Sequence, residues 1–371
     1  DGFDDLILGA HLADPNGTDR TGASYVIFGG SSVGSSGMLE LSTLNGTNGY
    51  VIQGINAEDR CGHSVSSAGD VNGDGVDDLL IGARYADPNG INRAGETYVV
   101  FGGASVGVSG SFDLSSLNGS NGFIIQGINP DDRSGSSVSS AGDVNGDGFD
   151  DLLIGAPYAD PFGNSAAGES YVVFGGPTAG ASGVVDLSTL NGSNGFAMNG
   201  LNATDLCGTS VSSAGDINND GINDIVIGAY RVNAYGTDSG ESYVIFGHPS
   251  LGSAGLVNLS ALNGTNGFSI IGSTHHEYSG FPVSSGGDIN GDGMDDLLVG
   301  AYRAGKNYVI FGRQAQCLPD TNGDGMLSPA DFSAWVAAFN AMSDACDQNG
   351  DGLCTPADFS AWVANYNAGC N

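Results

Sequence analysis

The stretch Ser137–Ala156, SVSSAGDVNGDGFDDLLIGA, joins two short apolar runs through an acidic loop that is rich in glycine. The runs contain Val, Leu and Ile and end at glycine, which is typical of β-strands, and they are too short for an ordinary helix. Because a unit of this size cannot bury both of its faces alone, a repeat of it would predict units that stack on their neighbours. The Asp-Gly pair of the loop does return about every 73 residues, at Asp1, Asp74, Asp147, Asp220 and Asp292.

Each repeat carries further apolar runs, such as residues 171–175 (YVVFG) and 121–127 (NGFIIQG). About four strands per unit predict a mainly β fold, a β-propeller of about five blade-equivalents with four-stranded antiparallel blades, over residues 1–312. A β-solenoid is the alternative, but its period is normally much shorter. The first unit lacks its leading strand and the last lacks its closing strand. An upstream piece, ring closure through the two ends, or another subunit could complete the open blade.

The acidic loops place oxygen-bearing side chains at positions one, three, five and nine, and position seven can offer its backbone carbonyl. Ca²⁺ takes six to eight oxygen ligands, whereas Mg²⁺ demands a stricter octahedron. Simple Asx turns are the alternative, but such clustered carboxylates would repel one another without a cation. Asp1 and Asp5 are predicted as the remaining half of a fifth site. The predicted ligands of the four complete loops are Asp70, Asn72, Asp74, Val76, Asp78, Asp143, Asn145, Asp147, Phe149, Asp151, Asp216, Asn218, Asp220, Ile222, Asp224, Asp288, Asn290, Asp292, Met294 and Asp296.

The charge balance excludes two classes of partner. Nine Lys+Arg against 42 Asp+Glu give a net charge of −33, which would repel nucleic acid and anionic membranes. No apolar run is long enough to predict a membrane span. The six cysteines indicate an oxidising, extracellular or cell-surface location. The chain opens within a repeat, so we expect a secreted protein whose signal peptide lies outside this sequence.

The motif of Ser137–Ala156 resembles the FG-GAP repeat of integrin α-subunit propellers and their bacterial relatives, over roughly residues 1–312. This resemblance implies a propeller, usually of seven blades, whose loops bind calcium on one face. The present units are longer than the usual repeat and only about five are visible, so the blade number departs from the family pattern.

After Gly312 the composition changes, and residues 313–371 contain two copies of a loop followed by a helix-like run. Oxygen side chains fill positions one, three, five, nine and twelve, with glycine at six, which is EF-hand spacing and predicts two more calcium sites. Met326 and Leu353 would contribute backbone carbonyls. The predicted ligands are Asp320, Asn322, Asp324, Met326, Ser328, Asp331, Asp347, Asn349, Asp351, Leu353, Thr355 and Asp358.

This pair is similar to a type I dockerin, a small all-α EF-hand-like domain that holds a cohesin partner. The positions that usually help to select the cohesin are Pro-Ala here, at 329–330 and 356–357, and offer no side-chain hydrogen bonds. The resemblance implies that the module's ends lie close together. We therefore expect the disulfides Cys317–Cys370 and Cys346–Cys354, with other pairings as the alternative. The aromatic residues of each helix recur at helical spacing and predict a core shared by two helices, with a partner surface as the alternative.

Cys61 and Cys207 occupy equivalent repeat positions and are interpreted as buried thiols, with a mutual disulfide as the alternative. The recurring Asn-Gly-Ser/Thr is interpreted as a turn, although it also matches a glycosylation acceptor. It begins at Asn45, Asn118, Asn191 and Asn263.

No catalytic motif is recognisable: the five histidines lack metal-ligand spacing, and neither a nucleophile elbow nor a phosphate loop occurs. We therefore expect a calcium-binding structural or adhesion protein and no enzyme. A self-assembling subunit of a filament or surface layer, and a carbohydrate-binding propeller, are the alternatives. A protein partner, a second copy of the chain or a glycan are the expected ligands.

Overall fold

The computed structural model describes residues 2–31, 33–313, 321, 328–341, 346 and 354–368. The Cα positions cluster into two compact units. The first contains Asp1–Ile217 and Gly221–Gly312, and the second contains Asn218–Asp220 and Arg313–Asn371.

The strands of the first unit form five sheets, numbered here in chain order. Sheet 1 contains β1 (Leu6–Ala10), β2 (Ala23–Ile27), β3 (Gly49–Gln53) and β7 (Ser111–Asp113). Sheet 2 contains β4 (Ser64–Gly69), β5 (Asp78–Ala83), β6 (Glu96–Val100), β8 (Gly122–Gln126) and β12 (Val184–Asp186). Sheet 3 contains β9 (Ser137–Gly142), β10 (Asp151–Ala156), β11 (Glu169–Val173), β13 (Gly195–Asn199) and β17 (Leu256–Val257). Sheet 4 contains β14 (Ser210–Gly215), β15 (Asp224–Ala229), β16 (Glu241–Ile245) and β18 (Gly267–Ile271). Sheet 5 contains β19 (Ser279–Gly287), β20 (Asp296–Ala301) and β21 (Lys306–Ile310).

Sheets 2, 3 and 4 each contain four antiparallel strands from one repeat, as the repeat predicted. In the described part of the chain, sheet 1 lacks the leading strand and sheet 5 lacks the closing strand, which confirms the prediction of incomplete first and last units.

The prediction of four-stranded antiparallel blades was incomplete, because a short strand from the following unit adds in parallel to the outer edge of three sheets. In sheet 2, for example, Val184 of β12 lies opposite Ile124 of β8. The same exchange joins β7 to β3 and β17 to β13. These strands contain only two or three residues, too few for a period-2 pattern to be recognised in the sequence.

The core lies between neighbouring sheets. In β10, Leu152 and Ile154 belong to the cluster shared with sheet 2, whereas Leu153 belongs to the cluster shared with sheet 4. All three side chains are fully buried, which explains why this strand is a continuous apolar run without polar alternation. Equivalent clusters lie between sheets 1 and 2 and between sheets 4 and 5, so the units stack as the repeat predicted.

Glycine in the Ile-Gly-Ala segment is required by the close approach of two backbones. A Cβ atom on Gly82 would lie 2.1 Å from the carbonyl oxygen of Gly135 in the next unit. No side chain can occupy that position unless the backbones of sheets 2 and 3 separate.

The second unit contains helices α1 (Pro329–Ala341) and α2 (Pro356–Ala368). Trp335 and Trp362 are buried together with Cys346 in a small apolar cluster, and the indole Nε1 of Trp335 donates to the carbonyl of Cys346 at 3.2 Å. This confirms the predicted shared core. In the described part of the chain, neither helix is long and apolar enough to cross a membrane.

The Cys346–Cys354 disulfide is present, with a Cα–Cα distance of 5.6 Å, as the dockerin resemblance implied. The other implied pair, Cys317–Cys370, lies outside the described residues. Cys61 and Cys207 are both free and buried, which confirms their interpretation as buried thiols. The Asn-Gly segments form Asx turns, as in Asn118, whose Oδ1 accepts from the backbone N–H of Ser120 at 3.0 Å.

Candidate calcium loops

Each complete acidic loop is the connection of a β-hairpin formed by the first two strands of its sheet. In sheet 3 the loop runs from the end of β9 to the start of β10, where Asp151 lies opposite Gly142. The hairpin brings loop positions one and nine to the same end of the sheet. The same placement holds for the connections β4–β5, β14–β15 and β19–β20.

The carboxylate at position one organises the turn through backbone hydrogen bonds. Oδ1 of Asp143 accepts from the N–H of Asp147 at 3.0 Å, and Oδ2 accepts from the N–H of Gly148 at 2.8 Å. Oδ1 of Asn145, at position three, accepts from the same Asp147 N–H at 2.9 Å. Gly148 has a φ of +92°, which glycine adopts without strain. The acceptors Asp70, Asp216 and Asp288 bond the equivalent glycine N–H groups, each at 2.9 Å.

The carboxylate at position nine is buried. Asp151 has no exposed surface, and its two oxygens accept from the N–H groups of Gly175 at 2.9 Å and Val144 at 3.1 Å. Burial, with the nearby charges of Asp147 and Asp143 adding to it, raises the pKa of Asp151 to about 8. Burial likewise raises the pKa of Asp78 to about 7 in the preceding loop. The two backbone N–H groups partly stabilise the ionised carboxylate, and a cation beside it would stabilise it further.

This donor set fits calcium. Within the described part of the chain, no three His, Cys, Asp or Glu side chains form a ready metal cluster. Each loop, however, combines carboxylates with an Asn side chain and a backbone carbonyl, all of them hard oxygen donors that Ca²⁺ accepts in flexible geometry. An ionised carboxylate has about four lone-pair sites, so acceptance of backbone N–H bonds leaves lone pairs for a cation.

The structure describes only one of the two ligands predicted for the incomplete fifth loop. Asp5 makes the contact typical of position nine, since its Oδ1 accepts from the N–H of Gly29 at 2.7 Å. Asp1, the other half of that site, lies outside the described residues.

In the second unit, the structure describes residue 321 and the last positions of each EF-hand-like loop. Oδ2 of Asp331 accepts from the N–H of Ser328 at 2.7 Å, and Asp358 makes the same contact with Thr355 at 2.7 Å. These contacts resemble a capping box at the start of each helix, and both carboxylates are buried. The other predicted ligands, Asp320, Asn322, Asp324, Met326, Asp347, Asn349, Asp351 and Leu353, lie outside the described residues.

Loop position eight has a role that the sequence analysis missed. Oδ2 of Asp150 accepts from the backbone N–H of Asp70, the position-one residue of the preceding loop, at 2.8 Å. Asn223 and Asp295 make the same bond to the loops before theirs, at 3.1 and 2.9 Å. An oxygen-bearing side chain at position eight of every loop was the available signal, but spacing alone does not show that it points to a neighbouring unit.

A second hydrogen bond links the leading strands of neighbouring sheets. The hydroxyl of Ser64 accepts from the N–H of Val138 at 3.0 Å. Ser137 and Ser210 repeat this contact with Val211 and Val283, also at 3.0 Å. The loops that begin at Asp70, Asp143 and Asp216 are therefore held both by their own hairpins and by the next sheet.

Comparison with known proteins agrees with this geometry. The model of the FG-GAP repeat matches residues 62–100, 134–173, 208–245 and 282–316. Each match contains one acidic loop and the strands beside it.

The relatives include integrin α chains. Integrin alpha pat-2 of Caenorhabditis elegans is 29% identical over 255 residues, which are 68% of this chain and 19% of the relative. Integrin alpha-5 of Xenopus laevis is 29% identical over 234 residues, 62% of this chain and 20% of the relative. Human phosphatidylinositol-glycan-specific phospholipase D is 30% identical over 245 residues, 65% of this chain and 26% of the relative.

The chain thus spans about a fifth of these integrin chains and about a quarter of the phospholipase. Similarity of sequence and the repeated sheet-and-loop geometry lead to the same conclusion: this protein contains FG-GAP repeats and is similar to integrin α chains.

Proposed function

We propose that this protein is an extracellular calcium-binding interaction scaffold of the adhesion type, with an FG-GAP β-propeller as its main body. One observation carries the proposal: the acidic loop recurs in four hairpins with the same backbone hydrogen bonds and with a fully buried carboxylate at position nine. The similarity to integrin α chains supports a protein partner, and the disulfide supports an extracellular location.

In this scaffold, the side chains at positions one, three, five and nine would hold calcium, together with the carbonyl at position seven. The bound ion would supply the positive charge that the buried carboxylates lack. Because position eight of three loops bonds position one of the preceding loop, an ordered loop also fixes the spacing of two sheets. Calcium would therefore stabilise the surface that the repeats present to a partner.

We propose no catalytic role. The clustered carboxylates are engaged in loop hydrogen bonds, and their chemistry is that of cation ligands. One relative bears an enzyme's name, but the chain covers only 26% of that relative.

The second unit is proposed as a dockerin-like docking or assembly element. Its paired helices and its disulfide form a small body with its own apolar core. Its EF-hand-like spacing supports two further calcium sites, and its Pro-Ala positions make a cohesin a poor candidate partner.

Exposed sheet faces favour a second candidate function, self-assembly. In sheet 5, Leu298 is 37% exposed, although its counterparts in sheets 2 to 4 are fully buried. In sheet 1, Leu8 is 38% exposed, whereas the isoleucines at the equivalent position of sheets 2 to 4 are fully buried. β1 and β21 also lie at sheet edges within the described residues, and edge strands can pair with another chain.

Two measurements on the full chain distinguish a single scaffold from a self-assembling subunit. They are sedimentation velocity and negative-stain electron microscopy, each in calcium and then in chelator. Single compact particles in calcium support the scaffold. Filaments that dissociate on chelation support assembly, and Leu298→Glu should then abolish them, whereas Val108→Glu in an exposed loop should not.

Calcium titration calorimetry tests the loops themselves. Asp151→Asn, at position nine, should remove or weaken one binding site. Asp150→Asn is the matched control, because position eight is no predicted ligand and Asn occupies it naturally at Asn223. Equal calcium binding by the wild type and both variants would contradict the calcium assignment.

A further inference from the structure

The few basic residues of this chain are concentrated at one place. Lys and Arg number nine in a protein of net charge −33. Four of them surround the ring of Tyr85, with guanidinium carbons between 4.4 and 5.4 Å from the ring centroid. They are Arg60, Arg84, Arg93 and Arg133. Arg133 also lies 4.1 Å from the ring centroid of Tyr158.

The fold brings these residues together at the end of the hairpins opposite the acidic loops. Arg60 precedes β4 and Arg84 follows β5, and these two strand ends lie side by side because Ser64 pairs with Gly82. Arg133 precedes β9, the leading strand of the next sheet. The cluster is therefore separated from the proposed calcium sites by the length of a strand.

Three of the four guanidinium groups have no carboxylate partner. Arg93 forms a salt bridge with Asp131 at 3.7 Å. Within the described residues, no salt bridge involves Arg60, Arg84 or Arg133, and the buried Nε atom of each has no hydrogen-bond partner. A buried donor without an acceptor is destabilising, and so is the proximity of like charges.

The positive charges affect one another. Burial lowers the pKa of Arg84, and the nearby Arg133 and Arg60 lower it further. Burial and then Arg84 lower the pKa of the adjacent His63 to about 4. In a chain with 42 acidic residues, the missing partner is not explained by a shortage of carboxylates.

The fold itself does not require arginine here. Arg60 and Arg133 have φ angles of +57° and +56°, and the equivalent residues Leu206 and Tyr278 have +55° and +57°. The repeat therefore imposes the left-handed backbone whichever side chain is present, and leucine satisfies it. The arginines that precede sheets 2 and 3, Arg60 and Arg133, therefore need another explanation.

We propose that Arg60, Arg84 and Arg133, arranged around Tyr85, bind a small oxyanion, either a carboxylate or a sulfate group of a ligand. Guanidinium groups bind such oxygens through paired charge-assisted hydrogen bonds. A cavity of about 440 Å³ lies beside Arg60 and Tyr85, but three carboxylates, Glu58, Asp59 and Asp87, also line it, and Arg84 and Arg133 do not. Anion binding therefore depends on the three unpartnered guanidinium groups around Tyr85 and not on this cavity. The chain's net charge of −33 disfavours a long polyanion, so the ligand carries its charge locally.

The full-length, calcium-saturated protein allows a direct test by NMR of the arginine Nε–Hε groups. Sodium sulfate and sodium acetate are titrated separately at constant ionic strength against chloride. We expect saturable shifts of the Arg60, Arg84 and Arg133 signals. Arg231 is exposed after β15 and also lies beside a tyrosine ring, 5.7 Å from the centroid of Tyr230, and it should show no saturable shift. The anion that saturates at lower concentration identifies the preferred chemistry.

Arg60→Leu and Arg133→Leu place the side chain of Leu206 on an equivalent backbone, and each should weaken binding at least about tenfold. Arg231→Leu is the matched control and should bind as the wild type does. Uniform, non-saturating shifts of all arginine signals would overturn the proposal. Saturation only by a long polyanion such as a heparin octasaccharide would overturn it too, and the wild-type titration decides even if a variant misfolds.

Discussion

The bond between Asp150 and the backbone N–H of Asp70 offers a sensitive test of how neighbouring units are held together. The oxygen and nitrogen lie 2.8 Å apart across two sheets. Asp150→Ala removes the acceptor and leaves the N–H of Asp70 without it. Asp150→Asn keeps an acceptor oxygen, and Asn223 shows that asparagine makes this bond in the next loop.

The expected magnitude follows from the half-buried position of this contact. Leaving a buried donor unsatisfied costs about 1–3 kcal/mol, and partial exposure of the N–H places Asp150→Ala in the lower part of that range, at about 1–2 kcal/mol. For a chain of this size, each kcal/mol corresponds to about 2 °C in melting temperature. Asp150→Ala should therefore melt about 2–4 °C below the wild type, and Asp150→Asn within about 1 °C of it.

Differential scanning calorimetry in saturating calcium measures both variants. The same scans in chelator show whether the loss is independent of calcium, as expected for a residue that is no predicted ligand. If alanine and asparagine are equally harmful, the acceptor oxygen is not the cause. If alanine melts with the wild type, the hydrogen bond contributes nothing, and the inference that position eight couples the sheets is wrong.

Excess chelator should lower the melting temperature of the wild type, because calcium binds only the folded loops, and Asp151→Asn should reduce that decrease; an unchanged calorimetric curve in chelator would refute the calcium assignment. Burial raises the pKa of Asp59 from 3.8 to about 6, so the folded protein binds this proton more tightly and stability should fall as pH rises from about 4 to 6. Asp59→Asn should flatten that part of a stability curve measured by urea unfolding, and an unaltered slope would contradict the burial argument. Cys346→Ser opens a loop with a sequence separation of 8 to Cys354 and should destabilise the helix pair by about 2–3 kcal/mol, seen as earlier loss of tryptophan fluorescence; identical unfolding of wild type and variant would show that the helices do not depend on this bond.

The sequence predicted the parts of the fold whose physical cause is local. Apolar runs bounded by glycine gave the strands, and the alternate oxygen side chains gave the acidic loops. The two-sided burial of Leu152 and Leu153 was implied by the stacking of repeats. The Cys346–Cys354 bond was the expected pairing across the second EF-hand-like loop, although the sequence left other pairings open.

What could not be predicted depends on contacts between units. The parallel strand Val184–Asp186 is too short to have a period, and its partner lies about 60 residues earlier in the chain. The acceptor role of Asp150 depends on the packing of two neighbouring sheets, which the spacing of residues within one loop does not show. The arginine cluster combines residues from two repeats and is absent from the others, so the repeat pattern hides it.

The exchanged parallel strands mean that the period of duplication and the physical sheet are out of phase. A segment of one full period contributes three or four strands to its own sheet and a short strand to the sheet before it. Duplication or deletion of a segment one repeat long preserves every strand pairing, wherever the segment begins. Each complete repeat has the same outer strand, and each supplies the same short parallel strand to the sheet before it. Gain or loss of a fraction of a period would leave one sheet edge without its partner. Such an array can change length only in whole steps, which makes repeat number an easily varied property and the internal spacing a fixed one.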